Sequence, residues 1–388
     1  MNIVIDGRYI QDRFPGIGRY TFNLIRALGK LDTGDDLVII INRKLPNRRF
    51  DFSTLTGLPR CQLVDTDIAR YLPAEIIQLP SFVRRLCPDV YHSPFFLRPY
   101  PLPCPCVVTI HDLIPLLRPR RVGELLNALM VLGGSLLAIR SSHIVTVSEH
   151  SASTIRKYFH IPHNQVDTIP EAPDPNFQQL PEDKIDPIRK KLGLQKPYVL
   201  HVGSHLPHKN QQRLLTAWKR FKQLSDGGNY PHQLVLVGGE GNLFLANQKL
   251  AARLKIDDSV LFFHHVPEDD LPALYCGADF FIFPSYAEGF GLPVVEAMAC
   301  GTPVICSAIP PLLEVVAGTA LIVDPEDIDG LSGTMMKLLG SPRLQKHLSE
   351  MGRHRSRQYS WRATALKTYG VYRRAVRVHS AKRYRTLI

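Results

Sequence analysis

Several features that would assign the chain to a special class are missing from its 388 residues. It has only seven cysteines, an odd number, and none of them forms a CxxC pair with zinc-binding spacing. No run reaches the ~18 consecutive apolar residues of a membrane span, because the longest candidate, 125–139, is interrupted by Asn127, two glycines and Ser135. Residues 1–6 are typical of a strand and a turn, not of a signal peptide. We therefore expect a cytoplasmic protein with free thiols.

Acidic residues are absent from one segment. Residues 353–388 contain eleven Lys and Arg and no Asp or Glu, so the remaining chain carries only +1 of the +12 net charge. We expect a basic helix or tail over 361–388, whose charges either face solvent or contact an anionic membrane surface. No nucleic-acid-reading motif accompanies these charges, so we expect no nucleic-acid partner. The helical spacing predicts a docked apolar side formed by Trp361, Leu366, Tyr369, Tyr372 and Val376.

Short apolar runs alternate with helical patterns along the chain. The runs are continuous, which is typical of parallel strands covered on both faces, and the alternation indicates an α/β fold. The first set of predicted strands is 2–6, 37–41, 90–93, 106–110 and 144–147, and the second is 198–202, 233–237, 260–263, 280–283, 304–306 and 320–323.

A proline-rich stretch between residues 170 and 197 separates the two sets of strands. It predicts an N-terminal domain over 1–172, a linker over 173–197 and a C-terminal domain over 198–360. Two such α/β halves leave a cleft at the carboxyl ends of their strands, where ligands usually bind.

The strongest local motif follows the predicted strand 280–283. Glu288 opens a loop in which Gly289 and Gly291 permit a tight turn, and Pro293 favours the start of a helix. Amides of Gly289 to Leu292 and the helix N-terminus can bind phosphate or sugar oxygens. Glu296 follows one turn later, so two carboxylates flank one glycine-rich turn.

A second motif follows the predicted strand 198–202. Gly203 and Ser204 form a turn, and His208 and Lys209 precede a predicted helix. Amides of such a turn can cradle a diphosphate, and the lysine ammonium offsets its charge.

Three further motifs carry weaker signals. His111 and Asp112 follow the strand 106–110, and Gly16 and Gly18 lie in a GxGxxT loop that lacks the third glycine of a dinucleotide fingerprint. Two DxD triplets, 65–67 and 327–329, are short enough to occur by chance, and we expect no metal site there.

The spacing of Glu288 and Glu296, with seven residues between them, resembles the signature of the retaining glycosyltransferases of family 4 (glycosyl transferases group 1), which have the GT-B fold. The resemblance covers nearly the whole chain. It implies two Rossmann-like domains facing a central cleft, with a C-terminal helix that crosses back to the N-terminal domain. The implied catalytic residues are His111, Lys209 and Glu288, and the implied donor-binding residues are Gly16, Gly18, Gly203, Ser204, His208, Lys209, Val266, Glu288, Gly289, Phe290, Gly291, Leu292 and Glu296.

The resemblance also implies individual roles. Glu288 and the following amides contact the donor sugar, Glu296 the ribose, and Lys209 the diphosphate. His111 approaches the reacting sugar. The family has an arginine before the lysine, whereas this chain has His208, so the second positive contact differs.

The strings GIGRY and HDLIP look most like mannosyltransferases of surface-polysaccharide synthesis. We therefore expect metal-independent, cofactor-free transfer of a hexose, with mannose from GDP-mannose favoured, to a glycan or lipid-linked oligosaccharide at the inner face of the cytoplasmic membrane. UDP-glucose, UDP-galactose and dTDP-rhamnose stay open as donors. Two alternatives remain: a nucleotide-sugar epimerase on the same scaffold, and a non-catalytic sugar-binding protein, which His208 would favour.

Overall fold

A computed structural model gives the fold and describes residues 1–68, 73–96, 101–117, 132–133, 143–225, 230–239 and 243–386. The chain divides into two units. Unit 1 comprises residues 1–171 and 360–388, and unit 2 comprises residues 172–359.

The centre of unit 1 is a parallel sheet of seven strands in the order β3-β2-β1-β4-β5-β6-β7. Five of the seven are at the predicted positions. The two missed strands are the edge strands, which are only partly buried, so their apolar signal is weak. The strands are β1 (Asn2–Asp6), β2 (Asp36–Ile41), β3 (Cys61–Asp65), β4 (Val90–Ser93), β5 (Cys106–Thr109), β6 (His143–Thr146) and β7 (Val166–Thr168).

Helices cover the sheet of unit 1 and supply the crossover connections between its parallel strands. Their apolar faces pack on buried strand residues such as Val4, Ile40 and Val108. The described helices are α1 (Pro15–Leu28), α2 (Ser53–Thr56), α3 (Pro73–Arg85), α4 (Ile114–Leu117), α5 (Glu149–Phe159) and, from the end of the chain, α14 (Trp361–Thr386).

The C-terminal helix α14 belongs to unit 1, where it packs on α1 and on β4, β5 and β6. Trp361 and Tyr372 are buried as predicted, but Leu366 is exposed. The prediction for Leu366 is wrong because the buried side of the helix is formed instead by small residues, which let the helix lie close to the sheet. These are Thr364, Ala365, Thr368 and Ala375. Arg373 and Arg377 lie on the exposed side.

Unit 2 contains a second parallel sheet, of six strands in the order β10-β9-β8-β11-β12-β13. All six lie where the sequence predicts them, to within one residue at each end. They are β8 (Tyr198–Val202), β9 (Gln233–Val237), β10 (Val260–Phe263), β11 (Phe280–Phe283), β12 (Val304–Ser307) and β13 (Leu321–Val323).

The helices of unit 2 enclose a core centred on Trp218, Phe221 and Phe280, all fully buried. The described helices are α6 (Glu182–Lys191), α7 (Gln211–Leu224), α8 (Phe244–Leu254), α9 (Leu271–Cys276), α10 (Leu292–Ala299), α11 (Pro310–Val316), α12 (Ile328–Leu339) and α13 (Pro342–Ser356).

The proline-rich segment 173–197 differs from the predicted linker. Pro181 is the N-cap of α6, whose Ile185 is buried, and α6 packs on α9. The Lys191 ammonium donates to the Asp270 carboxylate at 2.6 Å. The segment is therefore part of unit 2, because its prolines bound and enter a helix that has an apolar face to bury.

The apolar run 125–139 lies outside the described residues except for 132 and 133. Within the described ranges, none of the helices combines the length and the apolar character needed to span a bilayer.

Candidate functional site

The candidate site of unit 2 lies where the strand order reverses. From β8 the chain proceeds outward through β9 to β10, and then returns to place β11 on the other side of β8. Ligands of open α/β sheets bind at the carboxyl ends of the strands at such a switch point. The loop after β8 carries Lys209, and the loop after β11 carries Glu288.

Lys209 and Glu288 form an ion pair across this switch point. The Lys209 Nζ donates to Oε1 of Glu288 at 2.7 Å and to Oε2 at 2.9 Å. The same ammonium lies 5.0 Å from the centroid of the Phe283 ring. The pair is mostly buried, so each charge depends on the other for compensation. The ammonium can hold a phosphate oxygen, and the carboxylate can accept from sugar hydroxyls.

The loop that carries Lys209 is fixed by bonds to the neighbouring loop. Residues 207–209 form a single 3-10 turn, and Asn210 follows in a left-handed conformation with φ of 57°. Its side-chain amide donates to the carbonyl oxygens of Pro284 at 3.0 Å and Pro325 at 2.8 Å. The Tyr286 amide donates to the His208 carbonyl oxygen at 2.7 Å. The helix thus begins at Gln211, directly after Asn210, and Lys209 precedes it as the sequence predicts.

The turns after β8 and β9 approach each other closely. A Cβ on Gly238 would lie 2.1 Å from the Gly203 carbonyl oxygen, so only glycine fits at position 238. Ser204 follows Gly203 and is partly buried, and Val266, after β10, is buried. These turns bring Gly203, Ser204 and Val266, which are predicted donor-binding residues, to one edge of the sheet. Residues 240–242 of the β9 turn lie outside the described residues.

The glycine-rich loop after β11 is a tight turn into α10, as predicted. Gly291 has a φ of 108°, and a Cβ there would lie 2.4 Å from Leu312 Cδ2. Gly289 and Leu292 are buried. The Phe290 ring packs edge-on against Tyr359 at 5.5 Å, so its side chain anchors the loop. The backbone amides at the start of α10 are therefore what this loop can offer to an anion.

Glu296 occupies a different environment from Glu288. It has no exposed surface, and its Oε2 accepts from the Tyr275 hydroxyl at 3.0 Å. Its position on the second turn of α10 brings the carboxylate beside Tyr275 of α9. The ribose contact implied for Glu296 stays a prediction.

Two buried histidines, His201 in β8 and His205 in the turn after it, do not supply the positive charge that is missing at position 208. Burial lowers the pKa of His201 to about 3, and its Nδ1 lies 2.9 Å from the Ile282 carbonyl oxygen. Burial also lowers the pKa of His205 to about 4, and its Nδ1 accepts from the Asn247 amide at 3.1 Å. Both rings are therefore neutral at neutral pH.

In unit 1 the predicted glycine loop is helical. Helix α1 begins at Pro15, so Gly16 and Gly18 lie in its first turn, and the Gly18 amide donates to the Phe14 carbonyl oxygen at 2.7 Å. The loop interpretation was wrong because Pro15 has the φ that starts a helix. The first turn of α1 therefore offers an anion the backbone amides of a helix N-terminus and not those of a separate glycine loop.

His111 lies at the carboxyl end of β5 and is held on both ring nitrogens. Its Nε2 lies 3.1 Å from the Pro94 carbonyl oxygen, and its Nδ1 lies 3.0 Å from Oε1 of Glu171. The Tyr20 ring meets the imidazole edge-on at 4.7 Å. Sequence reasoning missed Glu171, because the residue follows the edge strand β7, which was itself not predicted.

The two DxD triplets have structural roles on the surface. Asp65 pairs with Arg43 at 2.8 Å, and Asp67 with Lys44 at 2.6 Å. Asp327 caps α12, and Asp329 pairs with Arg220 at 2.9 Å. Among the residues that the structure describes, no group of three or more His, Cys, Asp or Glu side chains is placed to hold a metal ion.

Comparison with known proteins supports the reading of both units. The family model Glycosyltransferase Family 4 matches residues 15–177, and the model Glycosyl transferases group 1 matches residues 184–355. The O-antigen chain mannosyltransferase B of Escherichia coli is 28% identical over 96% of this chain and 100% of its own length. The O-antigen chain mannosyltransferase RfbU of Salmonella typhimurium is 33% identical over 57% of each chain.

The fold is also that of solved structures. A sucrose-phosphate synthase from Thermosynechococcus elongatus matches 96% of this chain and 99% of its own with a TM-score of 0.75, at 22% identity. That likeness concerns the fold alone. Together with the two family models it establishes the assignment: the chain belongs to glycosyltransferase family 4, within the glycosyl transferases group 1, and has the GT-B fold.

Proposed function

We propose that this glycosyltransferase transfers a mannosyl group from GDP-mannose to a glycan or lipid-linked oligosaccharide in surface-polysaccharide synthesis, with retention of the anomeric configuration. The observation that carries the proposal is the Lys209–Glu288 pair at the switch point between β8 and β11. It brings together one group suited to a diphosphate and one suited to a sugar.

The donor diphosphate replaces Glu288 as the anion that pairs with the Lys209 ammonium. When the diphosphate binds, its oxygens replace one or both Glu288 oxygens on the ammonium, and the start of α10 faces further phosphate oxygens. Glu288 then accepts from hydroxyls of the donor sugar. Exchange of partners within a mostly buried pair keeps both charges compensated throughout binding.

The reaction needs little acid–base chemistry from the protein. The leaving group is a diphosphate, so stabilisation of its growing negative charge by Lys209 and the loop amides lowers the barrier. The sugar becomes oxocarbenium-like, and the acceptor hydroxyl attacks from the face that the diphosphate leaves, which gives retention. The departing phosphate oxygen takes the hydroxyl proton. No metal or cofactor enters this scheme.

The choice of mannose and of a polysaccharide acceptor rests on the relatives. Both O-antigen enzymes are mannosyltransferases by name, and one of them aligns along its whole length. GDP-mannose is therefore the favoured donor, ahead of UDP-glucose, UDP-galactose and dTDP-rhamnose.

A lipid-linked acceptor requires access to the inner face of the cytoplasmic membrane. The exposed side of α14 carries Arg362, Lys367, Arg373 and Arg377. On an anionic leaflet each such residue contributes about 1 kcal/mol. We expect salt-sensitive co-sedimentation with anionic liposomes that the double variant R373E/R377E weakens, and binding unchanged by these substitutions would contradict this role of the helix.

The first test is a thermal-shift panel of GDP, UDP, dTDP and ADP, each with and without its sugars and with and without EDTA. A ligand at 100 times its Kd stabilises the folded protein by about 2.7 kcal/mol. We expect a selective, EDTA-insensitive shift with GDP and GDP-mannose. Lys209→Ala should abolish the shift, and Lys249→Ala, a change at an exposed lysine of the same unit, should preserve it.

The other outcomes each redirect the proposal. A UDP or dTDP preference would keep the enzyme and change the donor. Product analysis that shows conversion of the nucleotide sugar to its epimer, without transfer, would indicate an epimerase. No shift with any nucleotide would favour a non-catalytic protein. Anomeric analysis of the product by NMR then tests retention.

A further inference from the structure

The contacts of His111 indicate which of its ring nitrogens carry a hydrogen. The Pro94 carbonyl oxygen can only accept, so the Nε2 atom at 3.1 Å carries a hydrogen. An ionised Glu171 can also only accept, so the Nδ1 atom at 3.0 Å carries a hydrogen as well. With Glu171 ionised, the two acceptors therefore favour a hydrogen on each ring nitrogen of His111.

The surroundings hold this pair in one arrangement. The Thr364 hydroxyl of α14 donates to the Pro170 carbonyl oxygen at 2.8 Å, directly before Glu171. The Ser151 hydroxyl of α5 donates to the His111 carbonyl oxygen at 3.1 Å. The backbone of each partner is thus fixed by a helix, and both side chains are mostly buried.

Two other titratable groups beside His111, His92 and Tyr20, stay neutral. Burial, aided by the charge of His111, lowers the pKa of His92 to about 3. Burial raises the pKa of Tyr20 well above its ordinary value. The two are linked through Thr109, whose hydroxyl lies 2.8 Å from His92 Nε2 and 3.1 Å from the Tyr20 hydroxyl. Neither His92 nor Tyr20 therefore offers a countercharge to His111, whereas the Glu171 carboxylate does.

We propose that Glu171 is the positioning residue of His111, an inference that rests on the proposed transfer reaction. The carboxylate fixes the plane of the ring and keeps a proton on Nδ1, so that the Nε2–H group, which donates to the Pro94 carbonyl oxygen, is a strong donor to an oxygen of the donor substrate that replaces Pro94 as its acceptor. An unpaired imidazolium would repel the oxocarbenium-like sugar. Glu171 cancels that charge and leaves the donor in place.

Two measurements test this role. The ¹⁵N shifts of His111, assigned by their loss in H111Q, should show both ring nitrogens protonated in the wild type and Nδ1 unprotonated in E171Q. We expect kcat to fall about 10-fold in E171Q and about 100-fold in E171A, with the KM for the donor nearly unchanged, as for loss of hydrogen bonds to a charged group. E182Q, at an exposed glutamate of α6, is the matched control.

A double-mutant cycle separates positioning from general stability. If Glu171 acts through His111, E171Q should cost little further activity in the H111Q background. An unprotonated Nδ1 in the wild type, or an undiminished loss in the H111Q background, would overturn the proposal. Absence of transfer by the wild type from every donor would overturn the proposed reaction instead, while the ¹⁵N shifts would still decide whether Glu171 holds the proton.

Discussion

Each unit places a basic side chain against a glutamate at the carboxyl end of its sheet. The side chains of His111 and Glu171 in unit 1 are 14% and 9% exposed, and those of Lys209 and Glu288 in unit 2 have the same two values. Equal burial nevertheless accompanies different chemistry. The lysine pair is bidentate and joins the two strands of the switch point, whereas the histidine ring is fixed on both sides by acceptors.

The difference indicates two ways of using a buried ion pair. A lysine ammonium has three hydrogens on a flexible stem, so it can exchange a carboxylate for a phosphate without losing compensation. The imidazole of His111 is planar and anchored, so its ring cannot turn away from Glu171 to another anion. We therefore expect the pair of unit 2 to open on donor binding and the pair of unit 1 to persist.

The largest expected effect comes from removing the charge of Glu288. Glu288→Gln leaves Lys209 without its anion and removes the carboxylate that accepts hydrogen bonds from the donor sugar. We therefore expect kcat/KM to fall by about 10²- to 10³-fold, as for other preorganised electrostatic groups. Donor consumption with the acceptor present measures it, and Glu182→Gln is again the control. A near-normal rate for Glu288→Gln would mean that the lysine pair of unit 2 is structural and that the comparison fails.

The next effect separates the two glycine motifs. Gly291→Ala places a Cβ at φ 108° and 2.4 Å from Leu312, so we expect a loss of about 1–3 kcal/mol in unfolding free energy. Gly16→Ala meets no atom within 4 Å in the first turn of α1 and should be neutral or stabilising by up to about 1 kcal/mol. Melting curves of both variants decide this, and equal destabilisation would contradict the helical placement of Gly16.

A smaller effect concerns pH. Burial lowers the pKa of His92 in unit 1 and of His201 in unit 2 to about 3. Between about pH 6.5 and that value the unfolded chain binds the extra proton and the folded chain does not, so stability falls as the pH falls, by up to about 1.4 kcal/mol per pH unit for each histidine.

Melting midpoints between pH 4.5 and 7 test this. His201→Gln should flatten the pH dependence of the melting of unit 2, and His92→Gln that of unit 1. An unchanged slope in either variant would show that the replaced ring is not neutral in the folded protein.

The contrast between the two units also explains which of their residues could be predicted from the sequence. The strands of unit 2 are apolar and bounded by glycine and proline, and the spacing of Glu288 and Glu296 marks the loop of the pair. The edge strands β3 and β7 carry only a few buried residues, so both were missed, and Glu171 was missed with them. Its pairing with His111 depends on the sheet order, which brings the ends of β5 and β7 to one edge with β6 between them.

The helical start at Pro15 shows a second limit. The local string around Gly16 and Gly18 is compatible with a loop and with the first turn of a helix. The choice depends on the apolar face of α1, which buries Tyr20, Leu24 and Ile25. The burial of Glu296 likewise depends on the packing of α10 beside α9, which the spacing of residues along the sequence does not predict.

The smallest effect sharpens the account of the lysine pair. The family places an arginine where this chain has His208, and the neighbouring His201 and His205 are neutral, so Lys209 carries the positive charge on the β8 loop at neutral pH. His208→Arg adds a permanent charge and a second phosphate donor. We expect it to tighten GDP binding by about 3- to 10-fold, in the range of one partly exposed charged hydrogen bond. Calorimetric titration with GDP at two salt concentrations measures the gain, which should shrink at high salt.

Lys249→Arg, which adds no charge, is the control. If His208→Arg leaves GDP affinity unchanged, position 208 does not face the diphosphate, and the lysine pair binds it without help from that side.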